Sequence, residues 1–501
     1  MSPEQKTIRS LLAAGTGPAL GAPGRPELSY AELCDVIDRA GRALAARGMR
    51  PGTPVAIVIP NGPEMAAVFL AVSSHAVAAP LNPSYTEDEF AFYMEDLGAR
   101  LLIALQGNDT PARAAAARLG IPVADIVPGD AAGRFAFADN AGEVDATRNT
   151  EGDVALLLHT SGTTSRPKIV PLTSKNIVTS ADGIAETLRL TSEDRCLNIM
   201  PLFHIHGLIA AVLSSVCAGA SISCAPGFDA LRFFGWLKQV NPTWYTAVPT
   251  MHQTILTRAR RNADIIAENR LRFIRSSSAS LPVPVFRDLE ETFGCPVIEA
   301  YGMTEASHQM ASNQLPPGKR KPGTVGVAAG PEVAIMGANG VLLPSGQIGE
   351  IVIRGGNVTP GYQNNPKANA ENWTDGWFRT GDQGEMDADG FLTIKGRLKE
   401  IINRGGEKIS PREVDDVLME HPAVAQVVTF AMPHRMLGED VAAAIVLADG
   451  SDATERQLKA FAAKSLAAFK VPGKILIVDE IPKGATGKLQ RIGLAEKLGL
   501  A

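Results

Sequence analysis

The chain has 501 residues, 45% hydrophobic and 20% charged, with 48 Lys and Arg against 53 Asp and Glu and a formal net charge of −5. That length exceeds one ordinary core and predicts about two to four packed units. The composition excludes wholesale disorder, collagen and coiled coil, and the charge supplies no global basic field for nucleic acid or anionic lipid.

The five cysteines (Cys34, Cys196, Cys217, Cys224 and Cys295) are odd in number and form no C-x-x-C pair. This pattern fits reduced, buried thiols of a cytoplasmic protein rather than a disulfide framework or a zinc site. Residues 1–17 carry Glu4, Lys6 and Arg9 and no signal-peptide core, and Gly499-Leu500-Ala501 is no peroxisomal tripeptide. A cytoplasmic location is therefore expected.

In chain order, Ser29 reads as the N-cap of an amphipathic helix over 30–47, stopped by Gly48. Residues 55–59 form a β-branched strand ended by Pro60-Asn61-Gly62, and 65–78 are helical in character. Residues 101–105, 123–127 and 154–158 are further short buried strands. Strands alternating with helices imply an α/β fold, with doubly wound parallel sheets covered on both faces to about residue 310. Residues 196–228 lack any charged side chain, long enough to span a bilayer. They contain Pro201, His204, His206, Ser214, Ser215 and Pro226, so a buried helix followed by a buried strand is expected and no stable membrane insertion.

Residues 325–361 are rich in Gly and Pro and read as β-rich, with a strand at 348–354. Ser410-Pro411-Arg412-Glu413 reads as a capping box opening a helix to about 420. Strands at 424–430 and 441–447, a helix over 453–469 and a strand at 474–478 complete a small α+β unit. The expected division is a large N-terminal domain over 1–396, with its β-rich subdomain at about 322–396, a hinge at 397–402 and a C-terminal α+β domain over 403–501.

The most informative segment is His159-Thr160-Ser161-Gly162-Thr163-Thr164-Ser165-Arg166-Pro167-Lys168, directly after a buried strand. Five hydroxyls, a glycine and two cations in ten residues suit phosphate oxygens, although the Walker spacing is absent. The segment resembles the phosphate loop of the adenylate-forming superfamily, which includes acyl-CoA synthetases, peptide-synthetase adenylation domains and luciferases. Further motifs follow in the family's order. Tyr301-Gly302-Met303-Thr304-Glu305 matches Y-G-x-T-E, and Trp377-Phe378-Arg379-Thr380-Gly381-Asp382 matches W-F-x-T-G-D. Gly396-Arg397-Leu398-Lys399-Glu400 matches the hinge, and Pro482–Lys488 matches the C-terminal lysine motif.

The resemblance implies two steps with ATP, Mg²⁺ and coenzyme A. A carboxylate attacks the α-phosphorus to give acyl-AMP and pyrophosphate, and a thiol then takes the acyl group and releases AMP. It places Thr160, Ser161, Gly162, Thr163, Thr164 and Lys168 on the β- and γ-phosphates and Thr304 on the α-phosphate. Glu305 becomes a Mg²⁺ ligand, and Glu299, Ala300 and Tyr301 frame the nucleotide, with Tyr301 stacked on adenine. Asp382 takes the ribose, with Arg397 nearby, and Lys488 is the adenylating cation. Lys399 is the pivot about which a mobile C-terminal domain turns, bringing Gly405 and Gly406 to the pantetheine arm.

The acid pocket departs from an apolar tunnel. His204 and His206 share one segment, His308 follows Glu305, and Arg275-Ser276-Ser277-Ser278-Ala279-Ser280 is rich in hydroxyls. These residues suggest a short acid with a second polar or anionic end. The phosphate loop and residues 201–207, 299–306 and 400–411 look like the oxalyl-CoA synthetase branch. That resemblance implies oxalate, held by His204, Ser278 and His308, with His206 read as packing behind them. Another short or medium-chain acid, such as malonate or a fatty acid, remains the nearest rival. A carrier-loading adenylation enzyme is disfavoured because residues 201–207 offer no Asp for a substrate amine. Ile169 stands where the family usually has glycine and is expected to stiffen the loop exit. The sequence assigns no oligomeric state.

Overall fold

A computed structural model describes residues 6–139, 141–160, 167–483 and 489–500. Four sheets organise them. A nine-stranded sheet runs from the pair Pro18–Ala22 and Arg25–Ser29 through Ser221–Cys224, Arg195–Asn198, Trp244–Ala247, Phe273–Ser276 and Val297–Met303 to His308–Ser312 and Val327–Ala328. A seven-stranded sheet contains Pro54–Val58, Val77–Pro80, Leu101–Leu105 and Val123–Pro128, with Val154–His159 and Ile169–Thr173 at one edge. The interiors of both sheets are parallel, as expected. Their margins are antiparallel, because hairpins such as Val154–His159 with Ile169–Thr173 close them.

A five-stranded antiparallel sheet covers Glu332–Met336 to Leu392–Arg397, where a β-rich segment is expected. A last five-stranded sheet is built around the long hairpin Val424–His434 and Gly438–Leu447, flanked by the helix Pro411–Met419. Each strand of that hairpin runs past its expected 424–430 and 441–447.

Local chemistry explains most elements. The helix Tyr30–Ala46 is opened by reciprocal bonds between Ser29 and Glu32, and buries Leu33, Val36, Ile37, Ala40 and Leu44 on one stripe. It crosses the helix Pro63–His75 at Gly41, where a Cβ would come within 2.4 Å of the His75 imidazole. The expected helix over 65–78 stops at His75. Residues Val77–Pro80 instead pair in parallel with Pro54–Val58, and sheet formation overrides the apolar run.

At Ser410 only half of the expected capping box forms. Ser410 accepts from the Glu413 amide, but the Glu413 carboxylate turns to Lys470 at 2.6 Å. The expected helix over 453–469 is confined to Glu455–Ala462, opened by a complete Thr454–Gln457 box. The charge-free stretch folds as a helix, π-helical over His206–Leu213, then the strand Ser221–Cys224. Among the described residues no helix is long and apolar enough to cross a membrane. All five cysteines are free, and Cys34 and Cys217 are only half-buried.

Candidate active site

Two adjoining cavities of about 500 and 430 Å³ lie where the C-terminal segment meets the ends of the two large sheets. Thr160, Pro167 and Lys168, which follow and precede the paired strands Val154–His159 and Ile169–Thr173, line them. The ends of the phosphate loop are clasped, with the Thr160 amide on the Lys168 carbonyl at 2.9 Å and the Lys168 amide on Thr160 Oγ1 at 3.2 Å. Ser161, Gly162, Thr163 and Thr164 lie outside the described residues. Ile169 is buried as the first residue of the returning strand.

Lys168 Nζ sits 4.4 Å above the Tyr362 ring, and the Tyr362 hydroxyl donates to Glu305 Oε1 at 2.8 Å. Cation, ring and carboxylate thus form a column. The segment carrying Tyr362 is tied to both neighbours. The Gln363 amide bonds the Ile169 carbonyl at 3.0 Å, and the Thr359 amide bonds the Glu305 carbonyl at 2.7 Å. Burial pushes the Glu305 carboxyl above its ordinary range, opposed by the Tyr362 hydroxyl and by Arg397 and Lys168.

No group of three or more metal-ligating side chains occurs among the described residues. Glu350 is already tied to Arg379 and the Gly381 amide, which leaves the buried Glu305 carboxylate as the group that would suit Mg²⁺, a hard ion that takes one or two carboxylates and completes its shell with phosphate oxygens. That carboxylate alone does not fit a resident transition metal.

Asp382 and Arg397 are directly opposite each other on paired antiparallel strands, and Arg397 Nε lies 3.2 Å from Asp382 Oδ1. The buried Tyr301 hydroxyl donates to the same carboxylate, and Tyr301 lines the larger cavity with Thr304 and Ala300. Burial, then Asp382, drives the Tyr301 phenol upward, while Asp382 chiefly raises Arg397. Glu350 braces the preceding turn, accepting from Arg379 Nε at 2.7 Å and from the Gly381 amide at 3.0 Å.

Glu299 lines neither cavity. It is buried behind Ala300 and accepts the Leu281 amide at 3.0 Å. Burial pushes its carboxyl up to about 7, against the pull of Arg412 and that amide bond. Its carboxylate thus braces the Leu281 backbone.

At the other end of the smaller cavity stand His204, Ser278 and His308, beside Thr304 and Glu305. Ser278 has φ +73° and His308 φ +99°, both in the left-handed region that side-chain-bearing residues avoid at about 1–3 kcal/mol each. Behind them, His206 is fully buried, with Nδ1 3.0 Å from Ser278 Oγ, Nε2 2.6 Å from Thr246 Oγ1, and its ring edge-on to His308 at 4.9 Å.

From the C-terminal unit, Leu489, Gln490 and Arg491 line the larger cavity, and Lys483 and Leu489 form an antiparallel bridge. Lys488 itself lies outside the described residues. Arg491 is held by Asp415 at 2.7 Å and Glu400 at 3.4 Å, and Arg412 donates to the Ile394 carbonyl at 2.9 Å. Lys399 is exposed and touches the rim of the smaller cavity. Gly405 and Gly406 form an exposed turn, φ +59° and +99°, that lines neither cavity. This orientation brings Leu489, Gln490 and Arg491, and not the glycine turn, to the larger cavity.

Sequence reasoning passed over Tyr362, Thr246, Glu350 and Arg491, and treated Arg275 only as part of a hydroxyl-rich run. An arginine inside the short buried strand Phe273–Ser276 was the available signal for Arg275. Nothing local marks Tyr362 as a site residue, since its partners in the cleft, Glu305 and Lys168, lie far away in sequence.

A clasped phosphate loop, a buried carboxylate and a Tyr–Asp–Arg cluster around one cleft define a nucleotide-binding, adenylate-forming site. The AMP-binding enzyme profile matches residues 15–363 and the AMP-binding enzyme C-terminal domain matches residues 413–488, so the chain belongs to the AMP-binding enzyme family. It is 47% identical over 483 residues to the oxalate–CoA ligase of Arabidopsis thaliana, covering 94% of each chain. It is 44% identical over 471 residues to that of Saccharomyces cerevisiae, covering 88% of this chain and 86% of the other. Among solved structures it matches ATP-bound MatB from Rhodopseudomonas palustris with a TM-score of 0.89 at 29% identity, covering 98% and 99% of the two chains.

Proposed function

We propose that this chain is an AMP-forming acid–CoA ligase that joins oxalate to coenzyme A. The observation that carries this reading is one continuous cleft. Thr160, Lys168, Thr304, Glu305 and Arg397 share a cavity of about 430 Å³ with His204, Ser278 and His308. Cationic and hydroxyl groups suited to phosphate therefore line one cavity with imidazole and hydroxyl donors, a polar lining that suits a short acid rather than an apolar chain. The names and identities of the relatives support the same acid.

In this reading both reactants are anions, and the site's task is to neutralise them before they meet. Residues 160–168 hold the β- and γ-phosphates and Thr304 the α-phosphate. Asp382 takes the ribose hydroxyls with Arg397 beside it, and Tyr301 flanks the adenine. Glu305 would hold Mg²⁺, which would supply screening of the phosphate charge. One oxalate oxygen attacks the α-phosphorus and pyrophosphate leaves. The Lys488 ammonium bridges the attacking carboxylate and the phosphate. The thiol of coenzyme A then attacks the acyl carbon and AMP leaves, with the glycine turn at 405–406 brought round by rotation at 397–402. The free cysteines fit a reducing, cytoplasmic setting.

A panel of acids with Mg·ATP and coenzyme A, read by pyrophosphate and AMP release, tests the assignment. Oxalate is expected to give the highest kcat/KM, above malonate and far above octanoate. Preference for an eight-carbon acid refutes it.

A further inference from the structure

Arg275 is fully buried in the strand Phe273–Ser276, and among the described residues it has no carboxylate partner. Its Nη2 donates to Gln309 Oε1 at 3.2 Å, and its Nη1 lies 3.5 Å from His206 Nε2. Its Nε has no hydrogen-bond partner among the described residues. Burial lowers the guanidinium to about 9, which leaves it charged at neutral pH. An uncompensated interior cation is costly, so an anion nearby is the natural counterpart.

The direction of the hydrogen bonds shows where that anion belongs. Arginine only donates, so His206 Nε2 must accept. The Thr246 hydroxyl, 2.6 Å from the same nitrogen, then donates to it as well. The His206 proton is left on Nδ1 and points to Ser278 Oγ at 3.0 Å. Ser278 accepts that bond, and its own hydrogen turns toward the cavity that it lines with His204 and His308. The opposite tautomer sets an N–H against a guanidinium and turns serine lone pairs toward the substrate.

We propose that Arg275 is a positioning and specificity-determining residue: it fixes His206 as the Nδ1–H tautomer, which makes Ser278 a hydrogen-bond donor for the second carboxylate of a short dicarboxylate. This rests on the oxalate reading. It also accounts for the left-handed backbone at Ser278, where glycine fits without strain but carries no hydroxyl.

Kinetics on the full chain test the relay. His206→Asn keeps a donor on the Nδ1 side, and His206→Gln places its amide on the Nε2 side. Glyoxylate, in which an aldehyde replaces one carboxylate, serves as the monoanionic comparison. Arg275→Met and His206→Gln are expected to raise KM for oxalate by about tenfold or more, the loss typical of a hydrogen bond to a charged group. They leave KM for Mg·ATP unchanged and narrow the preference for oxalate over glyoxylate. Arg275→Lys and His206→Asn recover most of it. Equal losses for both acids, or an unchanged preference in folded Arg275→Met and His206→Gln, overturn the proposal. Should Arg275→Met not fold, the His206 pair decides. Nitrogen-15 NMR of labelled histidine reads the His206 tautomer with no acid present. A proton on Nε2 overturns the relay whatever the substrate, whereas a proton on Nδ1 in a chain inactive with every dicarboxylate supports the relay and refutes the oxalate reading alone.

Discussion

Replacing Tyr362 with Phe isolates one hydrogen bond. The ring stays, so Lys168 keeps its aromatic face at 4.4 Å, and only the hydroxyl that donates to Glu305 Oε1 at 2.8 Å is lost. Glu305 is buried, so solvent screening does not dilute the bond. A hydrogen bond to a buried charged group contributes about 1.5–3 kcal/mol, which converts to roughly 10–150-fold in an equilibrium constant. Burial already pushes the Glu305 carboxyl upward, and the Tyr362 hydroxyl opposes that by favouring the ionised form. Tyr362→Phe therefore raises it further. KM for Mg·ATP is expected to rise within that range at neutral pH, and the acidic limb of the pH profile to move to higher pH. Pyrophosphate release across magnesium concentration and pH measures both. A folded variant whose acidic limb and Mg·ATP dependence match the parent refutes the column of Lys168, Tyr362 and Glu305 as a working unit.

Other expectations concern stability and the half-reactions. Glu299, held near 7 in the fold against about 4.3 in an unfolded chain, binds its proton more tightly when folded, so stability falls as pH rises between those values. Glu299→Gln, which keeps an acceptor for the Leu281 amide, is expected to raise Tm over the parent at pH 8 and to match it near pH 4, by thermal melts at both. Ser278→Gly relieves a left-handed backbone but takes the acceptor from the buried His206 Nδ1, two effects of about 1–3 kcal/mol and opposite sign, so Tm is expected to change little while KM for oxalate rises; an unchanged KM for oxalate in the folded variant refutes a role for the hydroxyl. Lys488→Ala is expected to stop pyrophosphate release from oxalate and ATP yet spare thioester formation from added oxalyl-AMP, and equal survival of both refutes the division of labour.

The parts of the fold that were legible in the sequence are those with local causes. Ser29 with Glu32 announces its helix, and the β-branched run at residues 55–58 announces its strand. The helix expected over 65–78 fails at its end because pairing of Val77–Pro80 with a neighbouring strand is a long-range matter that periodicity does not record. The Glu413 carboxylate leaves its expected cap for the same reason, since Lys470 is 57 residues away and nearer in space.

In the site, contiguous motifs were readable. Thr304 with Glu305, and Asp382 with Arg397, sit on the cleft that their motifs imply. Glu299 belongs to the same contiguous stretch, yet it lines neither cavity, and its buried carboxylate accepts the Leu281 amide, a partner that the motif does not record. Tyr362 and Thr246 were not readable, because each acts through one contact brought about by tertiary packing.

The two ends of the cleft differ in how their polar groups are satisfied. At the nucleotide end Asp382 has Tyr301 and Arg397, Glu350 has Arg379 and the Gly381 amide, and Glu305 has Tyr362. That end is neutralised within the protein and holds its shape before any ligand arrives. At the acid end the protein holds a buried guanidinium without a carboxylate partner among the described residues, and two residues with side chains, Ser278 and His308, in left-handed backbone. Strain and uncompensated charge survive in a fold only where the surrounding structure outweighs them. On the oxalate reading proposed above, their concentration beside His204 puts substrate choice at this end. Changes that vary the acid belong at Arg275, His206, Ser278 and His308, whereas changes at Asp382 or Glu305 remove activity toward every acid alike.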